Sequence, residues 1–204
     1  MYLSKVQIGW EYAKNPYELH KALWQFFPDR PNENRSFLFR VETIVKGQSA
    51  QLLMQSMEKP LAGTKTELLA CREIPLRLQK GQLLRFRLRA NPIKTIKDAE
   101  KGVVEKNGRK FTRTARVPLI HEEQQQAWLE RKFENIALLQ SLSIQKELVL
   151  NFRKHKEQRS GKIQTVLFDG VFQVLNPTAL VQMMEKGIGP AKSFGCGLLS
   201  IATI

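Results

Sequence analysis

Gly187-Ile188-Gly189-Pro190-Ala191-Lys192-Ser193-Phe194-Gly195-Cys196-Gly197 is a loop with almost no side-chain bulk on its backbone, its glycines falling at 187, 189, 195 and 197. Glycine tolerates positive φ and lets another backbone come close. A row of exposed N–H groups with Lys192 at its centre is suited to hold a phosphate. Two nucleotide-site motifs nearly fit, and both fail. A P-loop needs glycine in place of Ala191, and a dinucleotide fingerprint needs glycine where Lys192 stands. Those loops also join a strand to a helix, whereas this one follows a helix-like run and leads into the apolar strand 198–201. The stretch is a helix-to-strand turn, and that direction decides the element order around it.

Upstream, Asn176-Pro177 caps a helix that runs to about Lys186 and stops at Gly187. Before it, residues 144–152 and 162–174 are strand-like and joined by a basic, polar connection. A helix over 121–134 carries Glu122 and Glu123 at its start and Arg131 and Lys132 at its end, as the helix dipole favours. With a short opening strand at 117–120, this half reads β-α-β-β-α-β.

The first half repeats that order. Residues 2–10 form a strand, Asn15-Pro16 opens a helix to about Phe27, and Pro28 and Pro31 close it. Residues 36–44 and 51–57 are strands about a Lys46-Gly47 turn. Residues 61–72 read as a short helix weakened by Gly63, and 74–78 pairs with 83–89 about Lys80-Gly81. The expected fold is α+β, a tandem of ferredoxin-like (RRM-like) βαββαβ domains. The expected boundaries are 1–91 for the first domain, 92–116 for a basic loop or insertion, and 117–204 for the second.

Composition narrows the partners. The chain has 204 residues, 33 Lys+Arg against 19 Asp+Glu, and a formal charge of +14. An excess of that size points to a polyanion, and nucleic acid fits better than a membrane because no basic amphipathic anchor helix is present. Cys71 and Cys196 lie far apart without CxxC spacing, which argues against a zinc site or a disulfide framework and fits a reducing cytoplasm. The N-terminus lacks the basic start and apolar run of a signal peptide, and no stretch is long and apolar enough for a membrane span. No Asp/Glu/His group has metal-ligand spacing, no cofactor motif is complete, and no GxSxG is present.

The chain has three histidines, His20, His121 and His155. Helical spacing puts His20 near Tyr17 and inside the apolar sector of Leu19, Leu23, Phe26 and Phe27. It is therefore either a hydrogen-bonded core residue or the floor of a site. An imidazole exchanges protons near neutrality, and the Tyr17 phenol could orient it or share the transfer. RNA is a substrate for which so small a set suffices, because its own 2′-hydroxyl is the nucleophile.

Cations fall in three groups. Arg85, Arg87 and Arg89 alternate with Leu84, Phe86 and Leu88, so a strand presents three guanidiniums on one face, roughly 6.6 Å apart, with no acid between them. The 92–116 segment holds Lys94 and further cations that outnumber its acids. Arg153, Lys154, His155, Lys156, Arg159 and Lys162 cluster about one turn. All three groups suit phosphate contacts, and His155 in that run reads as a contact rather than a catalyst.

One resemblance covers essentially the whole chain. It is carried by Met1-Tyr2-Leu3-Ser4-Lys5-Val6, by Leu19-His20 running through Leu23-Trp24 to Phe27-Pro28, and by Phe37-Leu38-Phe39. It continues in Phe86-Arg87-Leu88-Arg89-Ala90-Asn91-Pro92-Ile93-Lys94-Thr95, Arg116-Val117-Pro118-Leu119-Ile120 and Ser160-Gly161-Lys162-Ile163-Gln164-Thr165-Val166. The chain resembles the CasE family, the CRISPR-associated endoribonucleases of the type I-E Cascade complex. Its glycine loop is similar to that of the wider repeat-associated RNA-binding superfamily.

The resemblance implies metal-independent cleavage of CRISPR precursor RNA at the 3′ base of each repeat stem-loop, leaving 5′-hydroxyl and 2′,3′-cyclic phosphate ends. It implies that the protein keeps the crRNA hairpin and enters Cascade against the backbone subunit. It places the catalytic histidine on His20 and its partner on Tyr17, and it makes the glycine loop an RNA-backbone and packing element with Lys192 near the cleaved phosphate. A non-catalytic RNA-binding subunit of a ribonucleoprotein is the alternative that shares the same fold and charge.

Overall fold

A computed structural model describes residues 1–28, 35–63, 66–98, 100, 102–106, 108–154 and 159–204. Tyr2–Gly9 (β1) buries Ser4, Val6 and Ile8 on one face by simple alternation. Trp10–Ala13 (α1) turns the chain into Pro16–Leu23 (α2). Asn15 caps α2 by accepting from the Tyr17 amide, with Pro16 in the first turn, as the Asn-Pro pair predicts. A 3-10 turn, Trp24–Phe26, ends the helix sooner than expected. Phe37–Val45 (β2) and Ser49–Ser56 (β3) form a hairpin around Gly47, whose φ is 83°.

Thr66–Glu73 (β4) completes this sheet in the order β2-β3-β1-β4, every neighbour antiparallel. The expected helix at 61–72 is therefore a strand. Its Glu, Leu and Ala favour helix in isolation, but the open edge of β1 offers a full ladder of backbone partners, and that outweighs a weak local preference. Residues 74–78, expected as a strand, join no sheet.

Leu83–Ala90 (β5) lies in the second sheet, not in the first as expected. Between it and the next helix stand two small antiparallel pairs. Ile93–Lys97 (β6) pairs with Thr114–Pro118 (β9), and Val103–Lys106 (β7) with Arg109–Thr112 (β8). The expected basic loop is thus a stacked hairpin arm, and residues 117–118 end that arm instead of opening a sheet.

Glu122–Phe133 (α3) and Ala137–Lys146 (β10) follow. Leu150–Lys154 (β11) and Arg159–Ile163 (β12) make a separate hairpin, so the stretches read as single strands at 144–152 and 162–174 each divide between two. Val166–Val174 (β13), Pro177–Lys186 (α4) and Leu199–Thr203 (β14) close the chain. The second sheet runs β10-β13-β5-β14.

With β5 as first strand, the second half is β5-α3-β10-β13-α4-β14, a complete ferredoxin-like unit with two inserted arms. The sheet topology divides the halves ahead of Leu83, not after Asn91. The tandem α+β architecture stands; its seam moves.

Each half has its own apolar core. The first packs Val6, Ile8, Leu19, Leu23, Phe26, Phe37, Phe39, Leu52 and Met54. The second packs Leu84, Phe86, Leu88, Trp128, Phe133, Phe168, Phe172 and Leu180. Such side chains contribute about 1.5–3 kcal/mol each when fully buried. Polar side chains bridge the halves. Arg40 of β2 donates from Nη1 to the Arg87 carbonyl at 3.1 Å and to Ser200 Oγ at 2.9 Å, and Gln55 Nε2 reaches the Met184 carbonyl at 2.8 Å.

Candidate active site

Helix α2 presents Tyr17 and His20 one turn apart while Leu19, Ala22 and Leu23 sink into the first core. The half-buried His20 ring lies over an aromatic bed. Its centroid is 5.9 Å from Phe37 and 6.4 Å from Phe39, with the Trp24 ring edge-on at 6.4 Å. Its Nε2 is buried and has no hydrogen-bond partner among the described residues. A core histidine held for structure has its polar atoms paired. This one rests on the core with its Nε2 unpaired among the described residues.

Burial, helped by the nearby Arg35 cation, pushes the His20 pKa down from 6.5 to about 4, so the free protein carries a neutral imidazole at pH 7. The Tyr17 amide donates to Asn15 Oδ1, and Lys21 Nζ lies 4.5 Å from the Tyr17 ring centroid.

The glycine loop reaches this site. Gly187 stops α4 with φ 72°, Ala191 is left-handed at φ 60°, and Lys192–Phe194 makes a 3-10 turn against α2. A Cβ on Gly195 would stand 3.2 Å from the Phe39 ring, the same ring that stacks beneath His20. The other glycines serve packing too. A Cβ at 187 would strike the Leu38 methyls at 2.7 Å, at 189 Trp128 at 2.9 Å, and at 197 the Ile188 carbonyl at 2.9 Å. Lys192 Nζ donates to the Lys186 carbonyl at 2.6 Å, tying the loop to the end of α4. Arg35 Nη1 donates to Ser193 Oγ at 3.0 Å.

The β11–β12 hairpin also docks on α2, next to the glycine loop. Asn15 Nδ2 donates to the Arg153 carbonyl at 2.8 Å, and the Phe152 and Phe194 rings lie 4.5 Å apart. An open groove of about 670 Å³ runs along this junction, lined by Lys14, Asn15, Phe152, Arg153, Ser160 and Lys162 among others. Arg153 and Lys162 are exposed there, and Lys94 is exposed on the neighbouring arm. Lys154 and Arg159 are paired through the backbone where the described part of the hairpin ends. His155 and Lys156 lie outside the described residues.

The arginine strand differs from expectation. Alternation holds, with Leu84, Phe86 and Leu88 buried and Arg85 and Arg87 exposed. The face is not free of acid, however. Asp169 stands opposite Arg87 in register and takes it at 2.7 and 3.1 Å, and Glu147 takes Arg89 at 2.6 Å. Both acids come from the second sheet's neighbouring segments, which spacing along β5 could not show. Among the described residues no three His, Cys, Asp or Glu side chains are grouped as metal ligands. No helix of the described residues is long and apolar enough to cross a membrane.

A family model described as CRISPR associated protein matches residues 1–203. The chain belongs to the CRISPR-associated protein family. It is 43% identical to the CRISPR system Cascade subunit CasE of Escherichia coli K12, covering all of both chains. It is likewise similar to the crystal structure of Cas6e from that organism, with a TM-score of 0.84, 41% identity and full coverage of both chains. It is also similar to the structure of the CRISPR endoribonuclease Cse3 bound to 19-nucleotide RNA, with a TM-score of 0.78 and 29% identity over 99% of this chain and 100% of that one.

In this CRISPR-associated chain the depressed His20 pKa has a consequence for stability. Between pH 6.5 and about 4 the unfolded protein binds a proton here that the folded protein refuses. Stability is therefore lost as pH falls through that window and is unaffected by this group above it. Urea unfolding at pH 7 and pH 5 is expected to show a larger loss for wild type than for His20→Gln. Equal losses in the two proteins would contradict the buried, neutral imidazole.

Proposed function

We propose that the protein is a CRISPR precursor-RNA endoribonuclease acting without a metal. In this reading it cuts at the 3′ base of each repeat stem-loop and leaves 5′-hydroxyl and 2′,3′-cyclic phosphate ends. It stays on the crRNA hairpin and sits in Cascade beside the backbone subunit, in the cytoplasm. The carrying observation is the neutral His20 imidazole, its Nε2 unpaired among the described residues, on a helix that contacts both a basic hairpin and the glycine loop. The full-length likeness to CasE and to RNA-bound Cse3 supports the substrate class.

A neutral imidazole is the form that accepts a proton. His20 removes the 2′-hydroxyl proton, or acts with Tyr17 in returning one to the leaving 5′-oxygen; the chemistry needs one group for each task. The nucleophile belongs to the RNA, so the protein's remaining work is to align the scissile bond and to steady charge on the phosphorane. Arg153 and Lys162 line the groove leading to α2, Arg85 and Lys94 are further exposed cations, and Lys154, Lys156 and Arg159 neighbour Arg153 and Lys162 in sequence. Arg87, Arg89 and Lys192 act first on protein partners, the first two on carboxylates and Lys192 on a carbonyl. Their RNA contacts would form in addition to or in place of these.

The deciding experiment incubates purified protein with its own repeat hairpin in excess EDTA. One cut is expected, with cyclic-phosphate and 5′-hydroxyl ends identified by mass. RNA left intact under EDTA but cut on adding Mg²⁺ would remove the metal-independent mechanism. RNA bound but uncut in both conditions would leave a non-catalytic RNA-binding subunit.

A further inference from the structure

We propose that Arg35 is a further catalytic residue, whose guanidinium holds a non-bridging oxygen of the scissile phosphate beside His20. The inference rests on the nuclease reading above. Arg35 lies just ahead of β2, half-buried, with Nη1 on Ser193 Oγ at 3.0 Å and Nε buried without a partner among the described residues.

Among the described residues, the other enclosed arginines have their acids. Arg40 pairs with Glu42 at 2.7 Å and Arg89 with Glu147 at 2.6 Å. Even the exposed Arg87 has Asp169. Among the described residues, Arg35 has no carboxylate. A desolvated cation without a counter-ion is costly, and folds normally avoid it.

The cation also has neighbours of its own kind. Burial lowers the pKa of both His20 and Lys192, and the field of Arg35 lowers both further. The locus therefore holds a guanidinium, an ammonium and an imidazole, two of them with buried nitrogens that have no partner among the described residues. What is missing is an anion with oxygens to accept from Arg35 Nε and to lie against His20 Nε2. A phosphodiester has that chemistry, and the planar fork of arginine suits its oxygens. Ser193 aims the fork, and the Lys192–Lys186 bond holds Ser193's loop in place.

In the reaction, the bond from the 2′-oxygen to phosphorus forms as the bond from phosphorus to the 5′-oxygen breaks. The 2′ proton leaves to a base and the 5′-oxygen gains one from an acid. Arg35 exchanges no proton and meets only the charge gathering on the non-bridging oxygens.

The test uses the full protein and repeat hairpins carrying a phosphorothioate of either configuration at the cut. For wild type, one diastereomer should be cut more slowly than the other. Arg35→Gln should cut the all-oxygen hairpin about 10²-fold more slowly, bind an uncleavable 2′-deoxy hairpin within about tenfold of wild type, and lose the diastereomer preference; Arg35→Lys should recover part of the rate. A Gln variant that cuts at the wild-type rate, or keeps the preference, overturns the proposal. Should thermal melting show that Arg35→Gln is unfolded, the Lys variant is judged by the same preference. If wild type cuts no RNA, the nuclease reading fails separately. The anion site is then read by titrating inorganic phosphate against the His20 ring resonances. A shift in wild type that is lost in Arg35→Gln upholds the site; no shift in wild type, or the same shift in both proteins, overturns it.

Discussion

In His20→Ala, single-turnover cleavage of the repeat hairpin is expected to slow about 10²–10⁴-fold, the range spanned by a positioned general acid or base. Hairpin affinity should stay close to wild type, because the cations of the groove lie on other residues. The fold should tolerate the change. Phe37 holds Trp24 and Phe27 independently of the imidazole, with the Trp24 and Phe37 rings 5.2 Å apart and Phe27 stacked on Phe37 at 5.4 Å. Removing the imidazole deletes a side chain whose Nε2 has no partner to strand. Cleavage and fluorescence anisotropy on the same preparation separate chemistry from binding. A His20→Ala protein that cuts as fast as wild type would take His20 out of the mechanism.

A repeat hairpin with one 2′-deoxy sugar just before the cut should bind as the native hairpin does and remain whole through a time course that exhausts the native RNA. The protein has no nucleophile of its own in this reading, so no residue can compensate for the missing hydroxyl. The free thiols do not offer one: Cys196 is buried, and burial pushes its pKa up to about 12, while Cys71 lies on β4, at the edge of the first sheet opposite β2, facing Ser4 of β1 in register. Cleavage of the deoxy hairpin would mean that water or a side chain attacks phosphorus. His20→Ala tests a proton carrier, whereas the deoxy sugar tests the attacking atom, so the two results are independent.

Much of this site could be read before any coordinates. Asn15-Pro16 predicted the start of α2, and that start sets Tyr17 and His20 one turn apart. The glycines of 187–197 predicted a turn between helix and strand, and their positions are now explained by what presses on them, Leu38, Trp128, Phe39 and the Ile188 carbonyl. The choice left open for His20, between core residue and floor of a site, needed the rings around it and the state of its Nε2. Arg35 gave no signal at all, since its meaning lies in Ser193, 158 residues away, and in the want of a carboxylate partner among the described residues.

The same division runs through the fold. Caps, glycine stops and two-residue alternation are local, involve atoms a few residues apart, and so were legible in the chain: α4 from Asn176 to Gly187 and the buried Leu84, Phe86 and Leu88 are instances. Sheet membership is not local. Whether Leu83–Ala90 closes the first sheet or opens the second depends on hydrogen bonds to Val166–Val174 and Leu199–Thr203, which no feature of the strand itself announces. The helix-forming composition of Thr66–Glu73 yielded to the open edge of β1 for the same reason. Charge pairing followed sheet membership: Arg87 meets Asp169 across 82 residues because their strands are neighbours, and three arginines that look unopposed in sequence become one exposed cation and two ion pairs. Residue chemistry and short-range turns are properties of the chain; partners are properties of the packed sheets, where backbone ladders and desolvated charges outweigh local preference.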